Sequence, residues 1–210
     1  MKAIEPALAG TYYGGYFTES DSTGDIHKFT SGIASAIERM GVACRYEQNV
    51  IALRSDGRQA SVTVQVGAEQ SVHHYDGLVV CAGVESRSFA SQLGDRVNIY
   101  LVKGYSITVN LQDAHSQAAA PTVSLLDDET KLVTSRLGLD RFRVAGTAEF
   151  NGYNKDIRAD RIRPLVPWAG LRPMMPNMMP RIGTGRLVNV FYNTGHGHLG
   201  WTLSAVTCNR

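Results

Sequence analysis

The chain has few cysteines, little proline outside one segment, and no long apolar run. Cys44, Cys81 and Cys208 are its only cysteines among 210 residues. An odd number, widely scattered among apolar or small residues, excludes a small disulfide-stapled scaffold and predicts reduced core thiols in a cytosolic compartment. The longest apolar runs, such as Leu78 to Val84 with its Gly83, fall far short of the roughly 18 residues that cross a bilayer. A transmembrane helix is therefore not expected. Nothing at Met1-Lys2-Ala3 resembles a signal peptide, because no apolar segment follows. Ser-x-x-Lys, Gly-x-Ser-x-Gly, His-Glu-x-x-His, Walker A and Cys-x-x-Cys patterns are all missing, so hydrolytic, zinc-dependent and P-loop chemistry lose their usual sequence support.

What is there suits a folded enzyme-sized unit. Hydrophobic residues make up 43% of the chain and charged residues 19%, and a chain of this mass buries roughly 70% of its extended surface. Charge is unevenly divided: residues 141 to 210 hold 10 Lys/Arg against 3 Asp/Glu, whereas residues 1 to 140 hold 11 against 16. The basic arginines are mixed with Gly, Pro and Met rather than with repeating aromatics, which argues against nucleic acid. So few, dispersed charges suit an anionic small molecule or cofactor.

Ile26, Phe29, Ile33, Ile37 and Met40 fall on one face at helical spacing. Thr23 or Asp25 can cap the first turn, and Gly41 can end the helix in a left-handed conformation. Strands are predicted over Tyr12 to Thr18, Val42 to Tyr46, Val50 to Leu53, Val62 to Val66 and Val72 to Tyr75, with a turn at Asp56-Gly57. Leu78 to Gly83 is apolar without alternation, as expected of a strand covered on both faces. Farther on, Tyr100 to Val109, Thr122 to Leu126, Lys131 to Ser135 and Arg141 to Ala145 suit an antiparallel sheet. Asp156 to Val166 could form a short helix. Pro164 to Pro180 holds five of the seven prolines and four of the six methionines, and should not sustain regular structure. Leu187 to Tyr192 is the last buried strand. Two sheet regimes in one chain predict an α/β part and a mixed α+β part.

Gly195-x-Gly197-x-x-Gly200 follows that last strand and precedes a helix. Too little chain follows it for a βαβ unit with an acidic ribose ligand, so the full dinucleotide fingerprint fails. Two readings remain: close approach of backbone to a ligand, with helix-terminal amides facing negative charge, or a structural tight turn. His196 and His198 alternate without a carboxylate cluster, which does not make a metal site. Arg172 sits in the apolar, proline-stiffened run Trp168 to Pro173, where a guanidinium must find an anion, either a ligand or a core carboxylate. Lys103-Gly104-Tyr105 reads as a solvated strand edge or as a cation and phenol beside a ligand. Met174, Met175, Met178 and Met179 could fill a core or line an adaptable pocket.

Five stretches together resemble one family: Glu5-Pro6-Ala7-Leu8; Thr23-Gly24-Asp25 with Phe29-Thr30; Leu101 to Ser106; Trp168 to Pro173; and Asn193 to Gly197 with Leu199 to Thr202. The sequence is similar to the flavin-carrying small subunit of bacterial D-amino acid dehydrogenase, within the FAD-dependent D-amino acid, glycine and sarcosine oxidoreductases. The resemblance implies a partial FAD-binding α/β domain, lacking the family's N-terminal dinucleotide segment, over 20–98 and 182–210. It implies a substrate domain with a largely antiparallel sheet over 1–19 and 99–181. It assigns the substrate carboxylate to Arg172, the pocket wall to Tyr105 and Lys103, and FAD contact to Gly195, His196, Gly197, Leu199, Gly200, Trp201 and Thr202. The implied reaction is hydride transfer from a D-amino acid to flavin, with hydrolysis to a 2-oxo acid and ammonia. Implied partners are a D-amino acid and a quinone or other respiratory electron acceptor, with a cytoplasmic location that extends to the inner-membrane surface; self-association is expected separately, from apolar faces and strand edges that the missing segment would leave uncovered. A glycine or sarcosine oxidase and a noncatalytic binding or assembly fragment are the alternatives. Where the family has Pro-Asp-Gly after the Arg-Pro pair, this chain has Pro176-Asn177-Met178.

Overall fold

The computed structural model describes residues 1–157 and 167–208. In chain order the elements are α1 (Ile26–Arg39), β1 (Asn49–Ser55), β2 (Ala60–Val66), β3 (Glu69–Tyr75), β4 (Leu78–Val80), α2 (Ser86–Gln92) and β5 (Tyr100–Asn110). There follow α3 (Ala114–Ala119), β6 (Leu125–Asp127), β7 (Leu132–Arg136), β8 (Arg141–Glu149), β9 (Pro167–Met174), β10 (Arg181–Thr184), β11 (Val190–Thr194) and α4 (Gly200–Thr207). They fall into two compact units, one of 1–33, 103–150 and 154–170, the other of 34–102, 151–153 and 171–210.

Helix α1 forms where its periodicity predicts. The Asp25 carboxylate accepts from the amides of His27 at 3.1 Å and Lys28 at 3.2 Å, satisfying two first-turn donors. Gly41, at φ +90°, ends it. Along its apolar face Ile26, Phe29 and Ile33 are each nearly half exposed.

The first unit holds the sheet ordered β6-β7-β8-β5-β9, antiparallel across its β6–β7, β7–β8 and β8–β5 pairs. The ends of β5 and β9, Tyr100 to Val102 and Leu171 to Met174, are counted with the second unit. Glu5 fastens the N-terminal segment to this unit. Only 2% exposed, its carboxylate accepts from the amides of Ala7 (2.9 Å), Thr122 (2.7 Å) and Val123 (3.1 Å) and from the Thr122 hydroxyl (3.0 Å). Burial pushes its pKa up, but the hydrogen bonds outweigh burial and hold it below the ordinary 4.5. A carboxyl whose folded pKa is depressed stabilises the fold above the unfolded value and loses that contribution as pH falls through the depressed one. Glu5→Gln is therefore expected to lower Tm near neutrality by about 5 °C. The gap should close below pH 4.5 when melts are followed by circular dichroism.

The second unit has the antiparallel meander β1-β2-β3 and the sheet β10-β11-β4. Strand β11 runs parallel to β4, Val190 opposite Leu78 and Tyr192 opposite Val80, in keeping with the α/β layering expected here. Leu53, Val80, Ala90, Leu93, Val97, Ile99, Val190 and Tyr192 form its core, each large side chain contributing roughly 1.5–3 kcal/mol of burial. The Tyr192 hydroxyl donates to Asp95 at 2.9 Å. Burial first, and then the Asp95 carboxylate, raise its pKa well above the ordinary tyrosine range.

Several expectations are corrected. Tyr12 to Thr18 is not a strand, and Tyr13 and Tyr16 stand fully in solvent: aromatic content favours a strand only where a partner covers it. Val42 to Tyr46 is likewise irregular. Strand β4 is covered on one face only, with Val79 61% exposed. Cys81 and Cys208 are exposed and Cys44 half-buried, so the thiols are not core residues. Pro167 and Pro173 lie within regular strand β9, because that strand is at the edge of its sheet, where a missing amide donor is tolerated. The helix expected over Asp156 to Val166 lies mostly outside the described residues.

Candidate functional site

In the second unit, β11 alternates so that Val190, Tyr192 and Thr194 are buried. Thr194 is anchored by its hydroxyl, 2.8 Å from that of Ser86. The chain then turns through Gly195 (φ +80°) and Gly197 (φ +59°) into α4, the strand–turn–helix context that the glycine pattern predicts. The amide of Gly197 donates to the carbonyl of Pro173 at 3.0 Å, and Met174 forms an antiparallel bridge with His196. A side chain at 197 would sit 2.5 Å from the Met174 sulfur, and one at 195 would sit 2.7 Å from Met175 Cγ. The groups that approach these glycines closely are thus two of the four methionines. Met178 and Met179 are exposed.

Arg172 is half-buried on β9. Residues two apart on a strand share a face, so Arg172 lies on the same side of β9 as Met174, which packs on Gly197. The structure therefore brings the strand segment that carries Arg172 beside the Gly195 to Gly200 turn in one unit, an adjacency that 22 intervening residues conceal.

Two polar atoms around this turn, Asn193 Oδ1 and His196 Nε2, are buried with no hydrogen-bond partner among the described residues. Burial pulls the His196 pKa below its ordinary value, which favours the neutral imidazole. The N-cap of α4 is Leu199, which offers no side-chain acceptor to the first-turn amides. Orphaned buried polar atoms call for a partner, and an uncapped helix start carries partial positive charge. Asn193 Oδ1 as an acceptor, His196 Nε2 and the first-turn amides of α4 are groups that a polar ligand could satisfy, and the expected cofactor contacts Gly195, His196, Gly197, Leu199, Gly200, Trp201 and Thr202 all lie on this turn and helix start. His198 is exposed, and among the described residues no cluster could hold a metal ion.

Lys103 and Tyr105 belong to the other unit, and their expected position on a solvated edge is overturned. Strand β5 lies between β8 and β9, with Lys103 1% and Tyr105 4% exposed. The Lys103 ammonium is 3.1 Å from Glu149 Oε2 and donates to the Asp156 carbonyl at 3.0 Å. It also lies 5.4 Å from the centre of the Tyr105 ring. The Tyr105 hydroxyl donates to the same Glu149 oxygen. Burial pulls the ammonium's pKa down, but its contacts with Tyr105 and Glu149 outweigh burial and leave it raised. Sequence reasoning missed Glu149 because nothing local marks it. A shift in the β5–β8 register aims it: Lys103 faces Glu149, whereas Tyr105 faces Gly146. Thr147, within the shift, has φ +59°, a strained state for a β-branched residue.

The whole length of the chain answers to one family. A family model described as FAD dependent oxidoreductase matches residues 1–209. The chain belongs to that family. Within it, the chain is related to the D-amino acid dehydrogenases: it is 57% identical over 220 residues to "D-amino acid dehydrogenase 3" of Mesorhizobium japonicum, covering 97% of this chain and 53% of the relative. It is 42% identical over 225 residues to a D-amino acid dehydrogenase of Dechloromonas aromatica, with 96% and 52% covered. The chain thus spans about half the length of these relatives. The α/β fold of this FAD-dependent family member is shared with solved structures at low identity. Against iminodiacetate oxidase of Chelativorans sp. BNC1 the TM-score is 0.71 at 20% identity, covering 87% of this chain and 52% of that one. Against glycine oxidase of Geobacillus kaustophilus it is 0.69 at 17%, covering 84% and 50%.

Met178 stands where the resemblance implies a glycine. Its φ is +61°, and its amide donates to the Met175 carbonyl at 3.0 Å to close the turn. The left-handed conformation costs a side-chain-bearing residue about 1–2 kcal/mol, part of which glycine returns through its greater unfolded-state entropy. Met178→Gly is expected to stabilise the chain by about 1 kcal/mol in urea denaturation.

Proposed function

We propose that this chain carries the substrate-clamping and flavin-facing half of an FAD-dependent oxidoreductase that converts D-amino acids to 2-oxo acids and ammonia. The observation that supports this reading is the adjacency of Arg172 and the glycine turn, secured by the bond from Gly197 to Pro173. FAD, when bound, supplies the hydride acceptor that the chain's own side chains lack.

The chain's residues bind and orient. The planar fork of Arg172 holds the substrate carboxylate through two parallel N–H donors, which fixes the direction of the α-carbon. The amides opening α4 at Gly200, Trp201 and Thr202 present partial positive charge to the cofactor. Neutral His196 gives its unpartnered ring nitrogen to the same region, and Met174 and Met175 exclude water beside it. Lys103 and Tyr105 act as positioning residues: through Glu149 they fix the register of the sheet assigned to the substrate part. As a functional division, residues 20–98 and 182–210 serve the cofactor, and residues 1–19 and 99–181 the substrate. Reoxidation falls to a quinone or other respiratory acceptor.

The reading is tested by supplying the purified chain with FAD and following dye reduction with D-alanine, L-alanine, glycine and sarcosine. Turnover selective for D-alanine is the expected result. Preference for sarcosine or glycine would move the assignment to secondary-amine or glycine oxidation. Stable folding without flavin uptake or turnover would overturn it.

A further inference from the structure

We propose that Cys81 and Cys208 are a redox-active dithiol that closes to an intramolecular disulfide, tying the end of α4 to the end of β4. Strands β11 and β4 are parallel, with Phe191 opposite Val79 and Tyr192 opposite Val80. Cys81 directly follows Val80, and the Asn193 backbone hydrogen-bonds its thiol. The Asn193 side chain in turn reaches α4, its Nδ2 donating to the Thr207 carbonyl at 3.3 Å. Cys208 is the next residue and the C-cap of the helix. A single asparagine thus neighbours both thiol positions, although 127 residues of sequence separate them. Buried Thr207 fixes the last turn of α4, and both cysteines are exposed and unbridged.

Electrostatics agrees with the geometry. Burial raises the Cys81 pKa, the Asn193 backbone amide pulls it down, and the Cys208 thiol adds to the rise. Each thiol reacts through its thiolate. In the proposed order Cys208, at the end of α4, reacts first. With a peroxide as two-electron oxidant, its thiolate sulfur cleaves the O–O bond and becomes a sulfenic acid, with release of one water. The Cys81 thiolate then attacks that sulfur and expels hydroxide, which takes up a proton as the second water. Two thiols have lost two electrons and two protons, and one peroxide has become two waters. A thiol reductant reverses the step. The bond would hold α4, and with it the start of that helix at Gly200, against the sheet.

The test treats the 210-residue chain, dilute and reduced, with about one equivalent of hydrogen peroxide, followed by alkylation, intact mass and peptide mapping without reductant. The expected product is monomeric and lighter by about 2 Da, with a Cys81–Cys208 linked peptide and alkylated Cys44. Its Tm should be higher by about 5 °C, and dithiothreitol should reverse both changes. Cys44→Ser should behave like the parent, and Cys208→Ser should lose the mass change; Cys81→Ser provides the reciprocal arm. A linkage through Cys44, an intermolecular disulfide, or sulfenic and sulfinic acids accumulating without a crosslink would overturn the proposal.

Discussion

Replacing Arg172 by alanine is expected to lower kcat/KM for D-alanine by about 10³-fold in the FAD-loaded chain, equivalent to about 4 kcal/mol of transition-state binding. The reason is geometric. A half-buried guanidinium on a strand can grip a carboxylate with two parallel donors, whereas alanine leaves that carboxylate to water. Arg172→Lys keeps the charge but loses the fork, and should fall between the two, roughly 10- to 100-fold below the parent. Because the proposed clamp would act on the carboxylate and not on the cofactor, flavin content should be the same in all three proteins. Steady-state kinetics beside the flavin absorbance of each purified variant checks both halves of the expectation.

The second large effect is on stability. Glu149→Ala removes the acceptor shared by Lys103 and Tyr105 and strands an ammonium that is 1% exposed. Breaking one partner of such a pair leaves an uncompensated charge, and Tm should fall by roughly 10 °C. Glu149→Gln keeps an acceptor for the tyrosine without the charge and should lose less. Lys103→Met combined with Glu149→Leu should recover part of the loss, because no buried charge is left, while the Tyr105 hydroxyl still lacks its acceptor. The sign of the pH dependence follows from the raised pKa of Lys103. The ion pair contributes fully below the ordinary lysine value of 10.5 and is lost as pH rises through the higher folded value. The difference between parent and Glu149→Ala should therefore narrow only in strongly alkaline solution. Thermal melts at neutral and alkaline pH would show it.

Much of the fold can be read from local sequence because local physics decides it. Helix α1 has its apolar period, its capping Asp25 and its terminating Gly41 within 17 residues, and none of these needs a tertiary partner. The turn from β11 into α4 is likewise encoded by glycines that can take positive φ. Features that depend on distant chain are not visible in this way. The burial of Lys103 depends on Glu149, 46 residues away, and on a bulge through Thr147 that its β-branched side chain would argue against. Prolines in β9 are tolerated only because of where that strand falls in the sheet order. Tyr13 and Tyr16 look like strand residues, yet among the described residues no strand pairs with them.

The candidate site divides in the same way. Residue type alone marks Arg172 as a group that must find an anion, and the glycine spacing alone marks a tight turn before a helix. That the two are neighbours depends on the Met174–His196 bridge, which no local signal predicts. The methionines show the opposite case. Their composition leaves core filling and pocket lining equally open, and the structure divides them, with Met174 and Met175 packed on glycines and Met178 and Met179 in solvent.

Under the proposed function, Arg172 holds the substrate carboxylate within reach of a flavin seated at the turn from Gly195 to Gly200. This claim is tested most directly with propanoate, which keeps the carboxylate of D-alanine and lacks its reacting amine. Titrated into the FAD-loaded chain, propanoate should perturb the flavin absorbance, and Arg172→Ala should weaken that response by about 100-fold or more with flavin still bound. An unchanged propanoate Kd in Arg172→Ala, or tight propanoate binding that leaves the flavin spectrum unmoved, would contradict it.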